Sequence, residues 1–428
     1  MLTRDENELL CRVEGDAPMG QLIRRHWLPA LLAEEIAQAD GDPVPLRLLG
    51  EDLVAFRDTD GRIGVMDRYC PHRRASLVFG RNEDCGLRCL YHGWKVDVEG
   101  NVLEMPSEPA GSALAQKVKH RAYPTHEHAG MVFVYMGPRE TMPAFTPPPY
   151  APTPDARLAV VKIVVDCNWA QVLEGAIDSA HSSTLHSTDM TPARVDAAKA
   201  TADVWLRPST DKAPRLVLDR TDFGFRYAAI RRPISNANVN DYIRISVFVS
   251  PITVLIPPNN LYNVANLNVP IDDTHTMFHF IAWTPGPEGA VDVEGWRKFC
   301  GAQVGLDVDG EWRKVRTLAN RYLQDRQAMR LGTSFTGIRG IPHQDIAMWE
   351  TMGPVADRTH DRLGASDLAI VEFRRIMVEA AQRFRDGGPA LGAGGNWSTL
   401  RSFEGVVPKT TDWKSLAQAG APAAMAAD

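Results

Sequence analysis

Only six cysteines occur in 428 residues, too few and too unevenly spread for a disulfide framework. Cys11, Cys167 and Cys300 stand alone, which suits small buried hydrophobes. Basic charge is also short: 47 Lys and Arg meet 53 Asp and Glu, a net charge of -6. With no basic cluster interleaved with aromatics, nucleic acid is not an expected partner. No stretch approaches the roughly 18 apolar residues of a membrane span, and the start MLTRDENELLCRVEGDAPMG lacks the apolar core of a signal peptide. A soluble, cytoplasmic protein is expected. In that reducing compartment bunched cysteines are metal ligands rather than disulfides. The length suits two or three domains, each able to bury its own core without a metal staple.

Residues 5 to 37 set Leu9, Leu10, Leu22, Ile23, Leu28 and Leu31 at helical spacing, and the segment 1–40 is expected to be helical and to pack on the later domain. From about 43 to 137, short β-type runs such as PLRLLGEDLVAFRD and GMVFVYMG alternate with Gly and Asp turns, which predicts an all-β domain over 41–140. The proline-rich GPRETMPAFTPPPYAPTPDA (137–156) can continue neither sheet nor helix and reads as a linker. Residues 141–428 mix strands such as LAVVKIVVDC and DYIRISVFVS with helical patterns from Trp169, at 294–328 and at 366–385, an α+β domain. The end, LAQAGAPAAMAAD, is low in complexity and reads as frayed.

Within CPHRRASLVFGRNEDCGLRCLYHGW (70–94), Cys70-Pro71-His72 and Cys89-Leu90-Tyr91-His92 each offer one thiolate and one imidazole. A Rieske [2Fe-2S] cluster needs two Cys on one iron and two His on the other. A structural zinc takes the same residue types, but zinc fingers pair Cys with Cys and His with His, so the spacing favours the cluster. Cys85 is left over and is expected as a buried turn residue. Gly93 permits close backbone approach to the cluster and Trp94 can shield it.

In CNWAQVLEGAIDSAHSSTLH (167–186), Glu174, Asp178 and His181 share one helical face, so Asp178 can touch His181. His186 lies about 140° further round an ideal helix. The two histidines can meet at one ion only if the helix breaks, and Ser182, Ser183 and Thr184 are the expected break. Two His and one carboxylate make a facial triad with open positions on Fe(II). Asp345 in GIPHQDIAMWE is the first candidate for the carboxylate and Glu350 the second, with His343 expected at the surface or behind the ligands. An electron-carrying cluster in the same chain favours iron that activates oxygen over an ordinary polar pair. His126 and His128 in THEHAG bring no thiol or carboxylate, and a solvated turn is expected there.

These two motifs in this order, with Asp345 late in the chain, resemble the oxygenase components of Rieske non-haem iron aromatic ring-hydroxylating enzymes over nearly the whole chain. MLTRDENELL, the 70–94 run and DRLGASD (361–367) are similar to the phthalate 4,5-dioxygenase branch. Its members act on aryl carboxylates, isophthalate and phenoxybenzoate included, and some remove O-methyl groups. The resemblance implies a helix-grip (START-like) catalytic domain with an antiparallel sheet and helices, assembled as a head-to-tail homotrimer or stacked hexamer. It implies mononuclear Fe(II) on His181, His186 and Asp345 beside a [2Fe-2S] cluster on Cys70, His72, Cys89 and His92. An NADH-dependent reductase with FMN and [2Fe-2S] would supply electrons, and Asp178 would bridge His181 to a Rieske histidine, His92, across a subunit boundary. The implied reaction is cis-dihydroxylation of phthalate at the 4,5-position with O2. A Rieske electron carrier or sensor is the alternative, and it leaves the second domain without a role.

Arg244 alternates with Tyr242, Ser246 and Phe248 on one face of DYIRISVFVS, and Arg207 sits among apolar residues in VWLRPST. Guanidinium grips carboxylate with two parallel hydrogen bonds. Most arginines are solvated, but the resemblance to phthalate-type enzymes implies that Arg207 and Arg244 are the substrate anchors, with Ser179 as a hydroxyl donor near the iron.

Overall fold

Proline and glycine break up the segment expected to be helical. The computed structural model describes residues 1–109, 112–194, 205–258, 261–286 and 291–417. Arg4–Cys11 is a helix opened by Thr3, whose hydroxyl accepts the Glu6 N–H while the Glu6 carboxylate takes the Thr3 N–H. Pro18–Ile23 is a second short helix, with proline in its first turn. Trp27–Leu32, however, is a strand paired antiparallel with Met131–Tyr135. Pro29 has no N–H for a helix interior, and it sits here beside a bulge. The single helical piece over 1–40 is thus corrected: Met1–Arg12 groups with Thr146–Asp428, while Val13–Phe145 forms the other unit.

The 13–145 unit consists of small antiparallel sheets. Val44–Leu48, Glu51–Arg57, Ile63–Asp67 and Ala122–Tyr123 form one, and Arg81–Glu83, Gly86–Arg88, Lys95–Val96 and Val102–Glu104 another. Val54, Phe56, Met66, Leu77 and Leu87 pack with Cys70 and Cys89 in its core. Thr125–His128 is a strand rather than a solvated turn. His128 is buried beside Phe145, while His126 stacks on the same ring at 4.0 Å but stays exposed, so packing displaces solvent only at His128. Cys85 is half-buried rather than buried, at a tight turn where Asp84 and Cys85 both have positive φ, with its N–H on the Thr59 hydroxyl.

In the larger unit an eight-stranded antiparallel sheet runs in the order Arg157–Val165, Thr276–Thr284, Asn263–Pro270, Thr253–Ile256, Asn240–Val249, Gly224–Arg231, Arg215–Arg220, with Phe403–Pro408 also paired to Asn240–Val249. Helix Trp169–Ile177, buried on most of its surface, packs against this sheet and against helices Ile341–Thr351 and Leu368–Arg385. The 294–328 pattern is helical only at Val293–Cys300 and Arg326–Leu331, joined by turns and an Leu318–Leu323 3-10 segment. Gly301 ends the first of these in the left-handed conformation. The alanine-rich end beyond 417 lies outside the described residues.

Glu174 keeps the face it shares with Asp178 and His181, the three lining one concavity, but its partners are arginines. Its carboxylate is buried between Arg358 (2.7 Å) and Arg374 (2.8 Å), and Arg358 also reaches the Asn7 side chain (3.0 Å). Burial would raise this carboxyl, but the two guanidiniums outweigh burial and hold it low. One ion cluster thereby ties the first helix, the Trp169 helix and the Leu368 helix together.

Candidate metal centres and substrate cleft

The two Cys-His loops are built alike. Cys70 N–H donates to Ala75 O (2.8 Å) and Arg74 N–H to Cys70 O (3.0 Å); Cys89 N–H donates to Trp94 O (2.8 Å) and Gly93 N–H to Cys89 O (3.0 Å). Each loop reverses at its fifth residue with positive φ, +61° at Arg74 and +76° at Gly93. A Cβ on Gly93 would meet Pro106 Cγ at 2.6 Å, so the close approach this glycine permits is to a proline. The loops bury both thiols and bring the His72 and His92 rings to 4.4 Å. Burial pushes the Cys70 thiol up against the pull of the His72 N–H, and the adjacent Cys89 sulfur adds to the push. Thiolates in such a place need a cation. His72 Nδ1 is buried with no hydrogen-bond partner among the described residues. Two facing thiols and an orphaned imidazole nitrogen fit a Cys2His2 [2Fe-2S] centre. Trp94 lies flat on His72 at 4.7 Å with its N–H on Ser107, so it covers this ligand set through the imidazole.

The second histidine pair comes together because the Trp169 helix stops early. It ends at Asp178 (φ -80°, ψ 111°), before the Ser182–Thr184 break expected from sequence. Asp178 Oδ1 accepts the N–H groups of Ala180 (2.7 Å) and His181 (3.3 Å), replacing helical partners. A 3-10 turn follows at His181–Ser183, and the rings of His181 and His186 lie 5.1 Å apart. Asp345 arrives from the second turn of the Ile341–Thr351 helix, its Oδ1 3.4 Å from His181 Nε2 and 3.0 Å from His186 Nε2. One ligand atom from each residue falls within 4.8 Å of the others. This donor set fits a two-histidine, one-carboxylate iron site with open positions.

Asp178 Oδ2 stands 3.6 Å from His181 Nδ1. Burial raises the Asp178 carboxyl, but its hydrogen bonds, led by His181, leave it low. Burial lowers His181, but Asp178 and Asp345 outweigh it and leave the imidazole raised.

Glu350, the second candidate carboxylate, is elsewhere: it meets Lys314 Nζ (2.6 Å), the Asp166 N–H (2.8 Å) and the Tyr322 hydroxyl. A buried Lys needs that partner more than iron does. His343 is neither at the surface nor behind a ligand; fully buried, it places Nε2 2.7 Å from Gly301 O, and burial takes it down to about 4.

A cleft of about 630 Å³, its open mouth included, reaches the triad. Ser179, Ser182, Tyr227, Arg244, Ser246 and Asn266 supply polar groups to its wall, while Ile256, Phe278, Phe280 and Trp349 supply an apolar face. Arg244 pairs with Glu404 on the neighbouring strand (3.1 Å) and lies over the Trp205 ring. Arg207 does not line the cleft; it stands behind it, donating to the hydroxyls of Ser183 (2.8 Å) and Ser182 (2.9 Å).

Arg231 is the residue missed from sequence. It is buried and donates to Ser179 O (2.8 Å) and Asp211 O (3.2 Å). Burial, Arg207 and Arg244 together pull its guanidinium down to about 10. Tyr227, four residues earlier on the same strand face, was the available signal, but the Arg231-Arg232 doublet hides which one points inward. Among the described residues, the salt bridge of this three-arginine group is Arg244 to Glu404.

The Rieske [2Fe-2S] domain family matches residues 26–124, and the LigXa C-terminal domain like family matches 134–427. The chain is 62% identical to the phthalate 4,5-dioxygenase oxygenase subunit of Pseudomonas putida, over 97% of this chain and 94% of that protein. It is 36% identical to the 3-chlorobenzoate-3,4-dioxygenase oxygenase subunit of Comamonas testosteroni, over 97% of each. A solved Pseudomonas putida CBB5 NdmA variant with caffeine shares the fold, with a TM-score of 0.60 at 16% identity over 92% of this chain and 99% of that one. No helix among the described residues is long and apolar enough to cross a membrane. A Rieske domain followed by a catalytic domain with a two-histidine, one-carboxylate set makes this chain an enzyme of the Rieske non-haem iron oxygenase family, as its oxygenase component.

Proposed function

We propose that the protein is the oxygenase component of a two-component aromatic-acid dioxygenase, converting phthalate to its cis-4,5-dihydrodiol with O2 and electrons from NADH. The observation that carries the substrate class is the arginine group: Arg244 on the cleft wall, with Arg207 and Arg231 buried behind it, shares one carboxylate, Glu404, among the described residues, an excess of positive charge suited to a dianion. The ring position rests on the 62% identical relative.

The [2Fe-2S] centre on Cys70, His72, Cys89 and His92 stores single electrons, and iron on His181, His186 and Asp345 supplies the site of oxygen activation. The chain's own groups do the rest. Arg244 binds a substrate carboxylate at the polar wall, and Ser179 and Ser182, held by Arg231 and Arg207, offer hydroxyls beside it. Phe278, Phe280 and Trp349 hold the ring and exclude water from it. Asp178 orients His181 through Nδ1.

Asp178, His181 and Asp345 also line a second, outer concavity of the same unit, so the triad is approached from two sides. That supports electron delivery from the outer side, through a His92 of a neighbouring subunit in a head-to-tail trimer, single or stacked as a hexamer. A reductase carrying FMN and [2Fe-2S] would load the cluster.

The test is a screen of aromatic acids with such a reductase, NADH and O2, followed by mass analysis. A phthalate dihydrodiol is expected. Formaldehyde from a methoxylated acid, with no dihydrodiol from phthalate, would replace this reading with O-demethylation.

A further inference from the structure

Gln344 immediately precedes Asp345 on the Ile341–Thr351 helix, and it is buried. Its Oε1 lies 2.8 Å from His186 Nδ1, while its Nε2 donates to Asp189 Oδ2 (2.9 Å) and to Ile338 O (3.0 Å). An amide nitrogen has two hydrogens. Here both go to atoms that only accept. Turning the amide over would set its oxygen against a carboxylate and a carbonyl inside the protein, leaving buried acceptors unpaired. The oxygen must therefore face His186, and an assignment that is often ambiguous for an amide is settled by its partners. It follows that His186 Nδ1 carries the hydrogen. The free lone pair is then on Nε2, the atom 3.0 Å from Asp345 Oδ1.

From this we propose that Gln344 is a positioning residue that fixes His186 as a ligand through Nε2, and that Asp189 in turn fixes Gln344. The proposal rests on the reading of His186 as an iron ligand. The arrangement closes on itself, because the Asp189 N–H donates to the His186 carbonyl (3.0 Å). One turn of helix thus delivers both the carboxylate ligand and the amide that orients a histidine ligand. The two histidines are supported unequally. His181 faces the Asp178 carboxylate, which makes its ring the stronger electron donor, whereas His186 faces a neutral amide.

The test uses full-length protein with its cluster in place, stripped of mononuclear metal and titrated with Co(II), whose visible bands report the ligand field. Gln344→Leu should weaken Co(II) binding roughly 10- to 100-fold and shift those bands, with the cluster spectrum unchanged. Gln344→Met, which keeps bulk with only a weak acceptor, should behave like it. Asp189→Ala, at a half-buried position, should weaken binding in the same direction by less, and it carries the test if Gln344→Leu does not fold. Parental affinity and bands in Gln344→Leu or in Asp189→Ala overturn the proposal. His186→Ala separates the two readings: it should abolish Co(II) binding, and if it binds as the parent does, the ligand assignment itself fails.

Discussion

A guanidinium without a counter-ion inside a protein is costly, and Arg207, Arg231 and Arg244, buried beside one cleft, share the one carboxylate of Glu404 among the described residues. A hydrogen bond to a charged group contributes about 1.5 to 3 kcal/mol, and about 1.4 kcal/mol is tenfold in affinity. Arg244→Ala should therefore weaken phthalate binding by roughly ten- to a hundredfold, measured by calorimetry, with iron content unchanged. Arg207→Ala should cost less, because Arg207 acts through Ser182 and Ser183 rather than from the cleft wall. Equal losses in both would show that Arg207 reaches the substrate itself. Asp178→Asn keeps the shape but removes the charge behind His181. Its cluster should still be reduced by the reductase, while reoxidation of that cluster by phthalate and O2 slows severely in stopped flow. Normal single-turnover product formation would end the coupling role of Asp178.

Between elements, the contact that matters most to the triad is a glycine. A Cβ on Gly175 would meet Trp349 Nε1 at 2.1 Å, so the Trp169 helix lies directly against the helix that carries Asp345. Gly175→Val cannot be relieved by a flexible chain end, and such overpacking costs about 1 to 3 kcal/mol. The Ile341–Thr351 helix should shift away from His181 and His186. Mononuclear iron per chain should fall, while the two cluster irons and the cluster absorbance stay at parental levels. Unchanged mononuclear iron would mean that the helix pair yields elsewhere.

At the scale of the whole molecule, each unit carries an imidazole that desolvation holds low. Burial takes His26 in the 13–145 unit from 6.5 to about 4. Burial, with Lys162 adding to it, takes His279 in the larger unit from 6.5 to about 3. Both folded values lie below the unfolded one, so as pH falls below 6.5 the unfolded chain takes up protons first. Stability is lost from there down to the folded value, by about 1.4 kcal/mol per pH unit for each group. His279→Leu should flatten the pH dependence of the larger unit's unfolding between pH 6 and 4 by roughly that slope. The same slope in parent and variant would show that His279 is solvated or protonated in the folded state.

The metal chemistry was legible from sequence because short loops carry it: within each Cys-His loop, a few residues and one positive-φ position bring both ligands to one side. His181 beside Asp178 is likewise a local matter of spacing. The strand alternation that put Arg244 and Ser246 on one face is local too. What sequence could not settle was decided by partners distant in the chain. Asp345 rather than Glu350 faces the histidines because Lys314 and Tyr322 claim Glu350. Glu174, on the face it shares with Asp178 and His181, is held by Arg358 and Arg374, which the sequence places far away. Pro29 and the pairing with Met131–Tyr135 turn an apolar, helix-spaced run into a strand. Arg231 and Gln344 carry no motif, and their roles arise only where strand, helix and turn converge. Periodicity encodes which face a side chain takes, but a buried charge or amide is placed by whichever distant group satisfies it.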